Sequence, residues 1–277
     1  MEPYHEPIDL IGARRRAFAS VSRRGFVRTG LAALLAPALH GCLSGATGPE
    51  GSPGHGNPRL TSRPLAPSLS VDLGVTPLGL GDGTGRDGIL LVPGSYDPAT
   101  PAPLLVALHG ATGNAENWTG FYDTYCEPRG MVMLAVDSRD ATWDRVRGSF
   151  GEDVPFIDLA LRHTFDRCAI AADRIALMGF SDGASYSLSL GPSNGDLFTH
   201  LVAFSPGFTA PVEPLPGRPP VFVSHGVSDP ILSVAETVLV IVPEMRASGY
   251  DVTYEQFDGR HEVPSEIASQ ALDWFQA

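Results

Sequence analysis

The chain has 277 residues, 43% of them hydrophobic, which is enough for one large core, since single α/β domains commonly run to roughly 200 to 250 residues. Its formal net charge is −12, and Arg14, Arg15, Arg16, Arg23, Arg24 and Arg28 all lie ahead of Cys42, so the body is more acidic still. Such a body repels phosphate backbones and anionic lipid surfaces, which argues against electrostatic nucleic-acid binding and leaves solubility as the plain role of the acid. Cys42, Cys126 and Cys168 are too few and too scattered for a disulfide framework, and no pair has zinc-site spacing. Cys126 and Cys168 read as buried thiols, with a bridge between them the alternative in an oxidising compartment.

In chain order the first feature is Ser22-Arg23-Arg24-Gly25-Phe26-Val27-Arg28, followed by a mildly apolar run from Gly30 to Leu39. That run is too short to cross a bilayer core of ~30 Å as a helix, so residues 1–42 read as a signal peptide, with a basic tail as the plainer alternative. The motif resembles the twin-arginine export signal of bacteria, which implies an exported protein, periplasmic or at the cell surface. Leu39-His40-Gly41-Cys42 resembles a lipobox, with His40 a departure, and lipidation at Cys42 would attach the chain to a membrane; Ala36-Pro37-Ala38 offers an ordinary cleavage site instead. Residues 43–69 are rich in Gly, Pro and Ser, bury little apolar surface, and are expected to form a flexible tether.

From residue 70 to 277 short aliphatic runs alternate with segments of helical period. Strands are expected at Ile89 to Val92, Leu104 to Leu108, Met131 to Val136, Arg174 to Met178, His200 to Phe204, Val221 to Ser224 and Val252 to Phe257. Val154, Ile157, Leu161 and Phe165 mark one helix face, and Ile267, Ala268, Ala271, Leu272 and Phe275 mark another, with Pro264 suited to its first position. The pattern predicts an α/β fold: a mostly parallel sheet with helices on both faces and ligand groups at the carboxyl ends of the strands. Gly79, Gly81, Gly83, Gly85 and Gly88, with Asp82 and Asp87, are followed by no helical pattern, so a hairpin turn between the first two strands is expected rather than a phosphate or calcium loop.

Gly179-Phe180-Ser181-Asp182-Gly183 lies between a predicted strand and a predicted helix and fits the tight small-x-Ser-x-small turn that raises a serine hydroxyl above a sheet. A serine is a poor nucleophile at neutral pH; it needs a base, and the base needs a group to fix its tautomer. Of the later histidines, His200 opens a strand and His225 ends one, whereas His261 sits in a loop between the last strand and the last helix and is the expected base. Asp229 follows a strand and is the expected acid; Asp196 and Glu213 lie in the same interval without a strand before them. Leu108-His109-Gly110-Ala111-Thr112-Gly113 closes another strand, so the backbone N–H groups of Ala111 and Asp182 are the expected oxyanion donors, with His109 supporting the loop. Trp118, Phe180 and Phe208 are candidates for a small apolar substrate pocket, or else core residues.

Those segments, with Val242-Pro243-Glu244-Met245-Arg246 and Gly249-Tyr250-Asp251-Val252, give residues 88 to 276 a specific likeness. The body resembles the phospholipase/carboxylesterase branch of the α/β-hydrolases, and is similar to polyhydroxyalkanoate depolymerase and feruloyl esterase-like enzymes. The resemblance implies Ser181, Asp229 and His261 as a triad and an ester substrate, either a small molecule or a group carried on a polymer. It departs at Asp182, where glutamine is common, and at Arg260, where glycine often precedes the histidine. Peptidase, amidase or thioesterase action on the same fold, and a non-catalytic binding protein, are the rival readings. The relay requires no cofactor and no metal-ligand cluster is apparent; the sequence is silent on oligomeric state. A Pro- and Gly-rich stretch from Ser205 to Pro220, without a helical lid, predicts short acyl groups.

Overall fold

A computed structural model describes residues 56–81 and 83–277. The arginine-rich signal, Cys42, residues 43–55 of the expected tether and Asp82 lie outside the described residues. Eight strands among the described residues form one sheet: β1 (Gly74–Pro77), β2 (Gly88–Val92), β3 (Ala102–Leu108), β4 (Val132–Val136), β5 (Ile170–Phe180), β6 (His200–Phe204), β7 (Val221–Gly226) and β8 (Val252–Phe257). Their spatial order is β1-β2-β4-β3-β5-β6-β7-β8. β1, β2 and β4 pair antiparallel, and from β4 onward every pair is parallel.

Two-sided burial explains the unbroken aliphatic runs. Leu104, Val106 and Leu108 enter one apolar cluster, whereas Leu105 and Ala107 enter the other, as period-2 alternation requires of a strand covered on both faces. The first cluster is closed by the helix α1 (Asp153–Phe165) through Val154, Ile157, Leu161 and Phe165, and by α2 (Asp182–Leu190). The second is closed by a helical run at 115–129 and by α3 (Ser265–Gln276), whose Ile267, Ala268, Ala271, Leu272 and Phe275 are buried as the periodicity predicted. Pro264 stands one position outside that helix, at its cap. Cys126 and Cys168 are free and buried in different clusters, on opposite faces of the sheet. No helix among the described residues is long and apolar enough to cross a membrane.

The glycine cluster is a hairpin turn. β1 pairs with β2 from Gly74↔Val92 to Pro77↔Ile89, and Asp87 closes the turn by accepting the N–H groups of Gly79 at 2.7 Å and Leu80 at 3.0 Å. β1 itself is missing from the expected strands because Gly74-Val75-Thr76-Pro77 is a half-buried edge with no aliphatic run.

The expected tether needs correction over its second half. Residues 57–64 lie against the body: Leu60 is 1% exposed and joins the first cluster. Its N–H donates to Asn194 Oδ1 at 2.8 Å, and the Asn194 amide donates back to Pro58 O at 2.8 Å. The N–H groups of Thr61 and Ser62 both donate to Asp158 Oδ1 at 2.8 Å. Arg59 and Arg63 converge on Asp196, with shortest contacts of 2.9 and 2.5 Å. Composition alone underrates such a segment, since one leucine and partners supplied by the body offset the ordering entropy.

Candidate active site

Ser181 stands between β5 and α2 with φ 57° and ψ −118°, a conformation that L residues rarely adopt. The glycines around it are required by contact. A Cβ on Gly179 would stand 2.1 Å from the Gly183 carbonyl oxygen, and one on Gly183 would stand 2.2 Å from that of Leu108. Strand and helix backbones thus cross too closely for any side chain, and the turn between them lifts the serine to the carboxyl end of the sheet.

The loops after β7 and β8 bring two more side chains to the same end. The Ser181 Oγ is 2.8 Å from His261 Nε2, and His261 Nδ1 is 2.5 Å from Asp229 Oδ2. A carboxylate only accepts hydrogen bonds, so Nδ1 carries the proton, Nε2 is left as an acceptor, and the serine hydroxyl donates to it. Asp229 Oδ1 accepts the N–H groups of Ile231 and Leu232 at 2.8 and 2.9 Å. Burial alone would raise this carboxyl, but the hydrogen bonds from His261, Leu232 and Ile231 outweigh it and hold the group below its ordinary range. The three residues expected from spacing are therefore brought together in one line.

His225, assigned by sequence only to the end of a strand, belongs to the same network. Its Nε2 lies 3.2 Å from Asp229 Oδ2 and 3.1 Å from Leu232 O, both acceptors, while Nδ1 faces Thr237 Oγ1 at 2.8 Å. Burial pushes its pKa down against the pull of the Leu232 carbonyl and Asp229, so the imidazole is neutral, with Nε2 donating and Thr237 donating to Nδ1. The available signal was a histidine four residues ahead of the acid.

On the expected oxyanion side, Ala111 is exposed on the loop after β3, and Asp182 opens α2, where first-turn amides have no intrahelical partner. Gly110 lies directly beneath, since a Cβ there would be 3.3 Å from that of Ser181. His109 is committed to the loop: Nδ1 donates to Gly110 O at 2.7 Å and Nε2 accepts from Ser138 N–H at 3.0 Å and from Arg86 Nη2 at 3.1 Å. Burial pushes its pKa down to about 4, which leaves it neutral. Two of the three pocket candidates are corrected. Trp118 is 1% exposed among core aromatics, and Phe180 is 2% exposed with its ring 4.8 Å from that of His261, so it supports the imidazole from behind. Both side chains are buried in the second cluster; only Phe208 of the three keeps exposed surface. No group of residues able to hold a metal ion occurs among the described residues.

No protein-family model matches the chain. Feruloyl esterase C of Emericella nidulans is 30% identical over 158 residues, covering 53% of this chain, and the chain spans only 56% of that relative's length. Esterase YpfH of Escherichia coli is 25% identical over 181 residues, 64% of this chain and 71% of the relative. Among solved structures, the Bacillus cereus carboxylesterase superposes with a TM-score of 0.52 at 19% identity, covering 70% of this chain and 95% of its own. A ferulic acid esterase from Anaeromyces mucronatus, solved in complex with ferulic acid, gives 0.54 at 18% identity, covering 69% and 84%. With the sheet order described above, these likenesses establish that the chain has the α/β-hydrolase fold.

Proposed function

We propose that the chain is a carboxylic-ester hydrolase acting through an acyl-enzyme on Ser181. The observation that carries this reading is the continuous line from Ser181 Oγ through His261 to Asp229 at 2.8 and 2.5 Å, standing at the carboxyl ends of the strands. In the first half-reaction His261 Nε2 takes the serine proton as Oγ attacks the ester carbonyl carbon, and Asp229 stabilises the imidazolium. The negative charge gathers on the carbonyl oxygen, where the N–H groups of Ala111 and Asp182 receive it. Collapse expels the alkoxide, which takes the proton from His261. A water molecule, deprotonated by the same nitrogen, then attacks the acyl carbon, and Ser181 recovers its proton as the acid leaves.

The substrate reading is a short or compact acyl ester, free or borne on a larger carrier. It is supported by the stretch 205–220, which contains no helix that could close over a long chain, and by the relatives, two of which are named as esterases of feruloyl groups. Without such a lid little apolar surface is gained from each further methylene, which would contribute ~0.8 kcal/mol if buried. A straight-chain ester series assayed for kcat/KM, beside amides and thioesters, tests this. A maximum from acetyl to butyryl is expected; a maximum at palmitoyl, or faster amide than ester cleavage, would overturn it.

Export is the proposed setting. The support is the Ser22 to Arg28 motif ahead of an apolar run, with Cys42 the proposed site of lipid attachment and residues 70–277 the catalytic domain. Replacing Arg23 and Arg24 together by lysine should hold the precursor in the cytoplasm, and unaffected export would remove the twin-arginine reading. Mass spectrometry of the processed N-terminus decides lipidation.

A further inference from the structure

The two expected oxyanion donors come from separate elements, the loop after β3 and the first turn of α2, and one short segment touches both. Ala141 O accepts the N–H of Thr112 at 2.7 Å, Thr142 Oγ1 donates to Asp182 Oδ2 at 2.6 Å, and Trp143 Nε1 donates to His109 O at 2.8 Å. Three consecutive residues therefore alternate between the arms. Thr112 is β-branched with φ 62°, a strained conformation that persists only when its surroundings impose it. The segment is itself held: Ser138 Oγ donates to Asp140 O at 2.5 Å and Ser138 N–H to His109 Nε2 at 3.0 Å. The buried Trp143 ring lies 4.9 Å from His109 and 5.0 Å from Tyr186 of α2, packing between the same two elements.

From this geometry we infer that residues 138–143 form a bracket that sets the spacing of the oxyanion donors, with Thr142 and the Asp182 carboxylate as positioning residues. The inference rests on the ester-hydrolase reading. It gives Asp182 a purpose: the side chain is tied to Thr142 while its own N–H faces the reacting oxygen. Oxyanion donors act only where charge develops, so loosening the bracket affects turnover more than substrate binding.

The test is steady-state kinetics of Thr142→Val, Thr142→Ser and Asp182→Ala on 4-nitrophenyl acetate, with thermal denaturation to follow folding. Thr142→Val should lower kcat about ten- to hundredfold, as small displacements of reacting geometry do, with KM within about twofold of wild type. Thr142→Ser, which keeps the hydroxyl, should recover kcat to within about threefold. Asp182→Ala should resemble Thr142→Val, and combining the two should add less than about twofold, because both remove one interaction. If Thr142→Val fails to fold, the kcat and KM of Asp182→Ala decide the matter. A kcat in Thr142→Val within about twofold of wild type, a loss confined to KM, or a serine variant as impaired as the valine one would overturn the bracket while the ester-hydrolase reading stands. A wild type that cleaves no ester sinks both.

Discussion

Asp229 and Asp196 are both aspartates gripped by cationic or imidazole partners at 2.5 Å, one in the candidate active site and one where the 57–64 segment meets the body. Their surroundings make them unlike. The Asp229 side chain is 0% exposed, and its oxygens are filled by His261, His225 and two backbone N–H groups. The Asp196 side chain is 36% exposed, and water competes with Arg59 and Arg63 for it. Short contacts therefore do not rank importance. A buried, fully partnered carboxylate leaves its partners stranded when removed, whereas an exposed pair is screened and contributes ~0 to 1 kcal/mol.

The largest effects should fall on the buried region. Ser181→Ala and His261→Ala should each lower esterase turnover by several orders of magnitude without unfolding the protein, and the pair together should be scarcely worse than either alone. A folded variant of either kind with near wild-type turnover would remove the assignment. Asp229→Asn replaces a two-oxygen acceptor with a group that cannot satisfy both His261 and the Ile231–Leu232 amides, so kcat should drop by about 10³- to 10⁴-fold. Asp196→Asn, run alongside, should leave kcat untouched; the reverse outcome would move the acid to Asp196.

An intermediate effect belongs to Leu60, the buried leucine of the 57–64 segment. Leu60→Ala should destabilise the fold by about 2 to 3 kcal/mol, the lower end of the range for buried leucines, because a surface segment can settle into the space left behind. Denaturant midpoints at constant m-value would show it, with kcat unchanged. A shift below ~0.5 kcal/mol would mean that this segment is held by polar contacts alone.

The smallest effect is on the ion pairs. Burial would raise the Asp196 carboxyl, but Arg59 and Arg63 bring it down to about 2. A depressed carboxyl stabilises the fold above its unfolded value near pH ~4, and that contribution is lost as the pH falls toward about 2. After screening by solvent the effect should stay under ~1 kcal/mol at neutral pH. Melting temperatures of wild type and Asp196→Asn should therefore differ slightly at pH 7 and converge at pH 2; a gap that widened with acid would contradict the sign.

Sequence by itself determined the parallel core, because a strand covered on both faces must be apolar nearly throughout, and the runs at Leu104 to Leu108, Val132 to Val136 and Ile175 to Met178 are. It also singled out Ser181, His261 and Asp229, since the crowded turn around Ser181 admits only small flanking residues, and positions in loops after predicted strands then marked the expected base and acid. Tertiary structure alone decided the rest. Phe180 and Trp118 carry no mark in sequence to distinguish a pocket wall from a core residue, since both demand the same side chain. The attachment of residues 57–64 depends on Asn194, Asp158 and Asp196, more than ninety residues away. His225 meets Asp229 only once the chain is folded, and Thr142 meets Asp182 only because separate strand ends converge in space. Hydrogen bonds between side chains distant in sequence leave no period or composition to read.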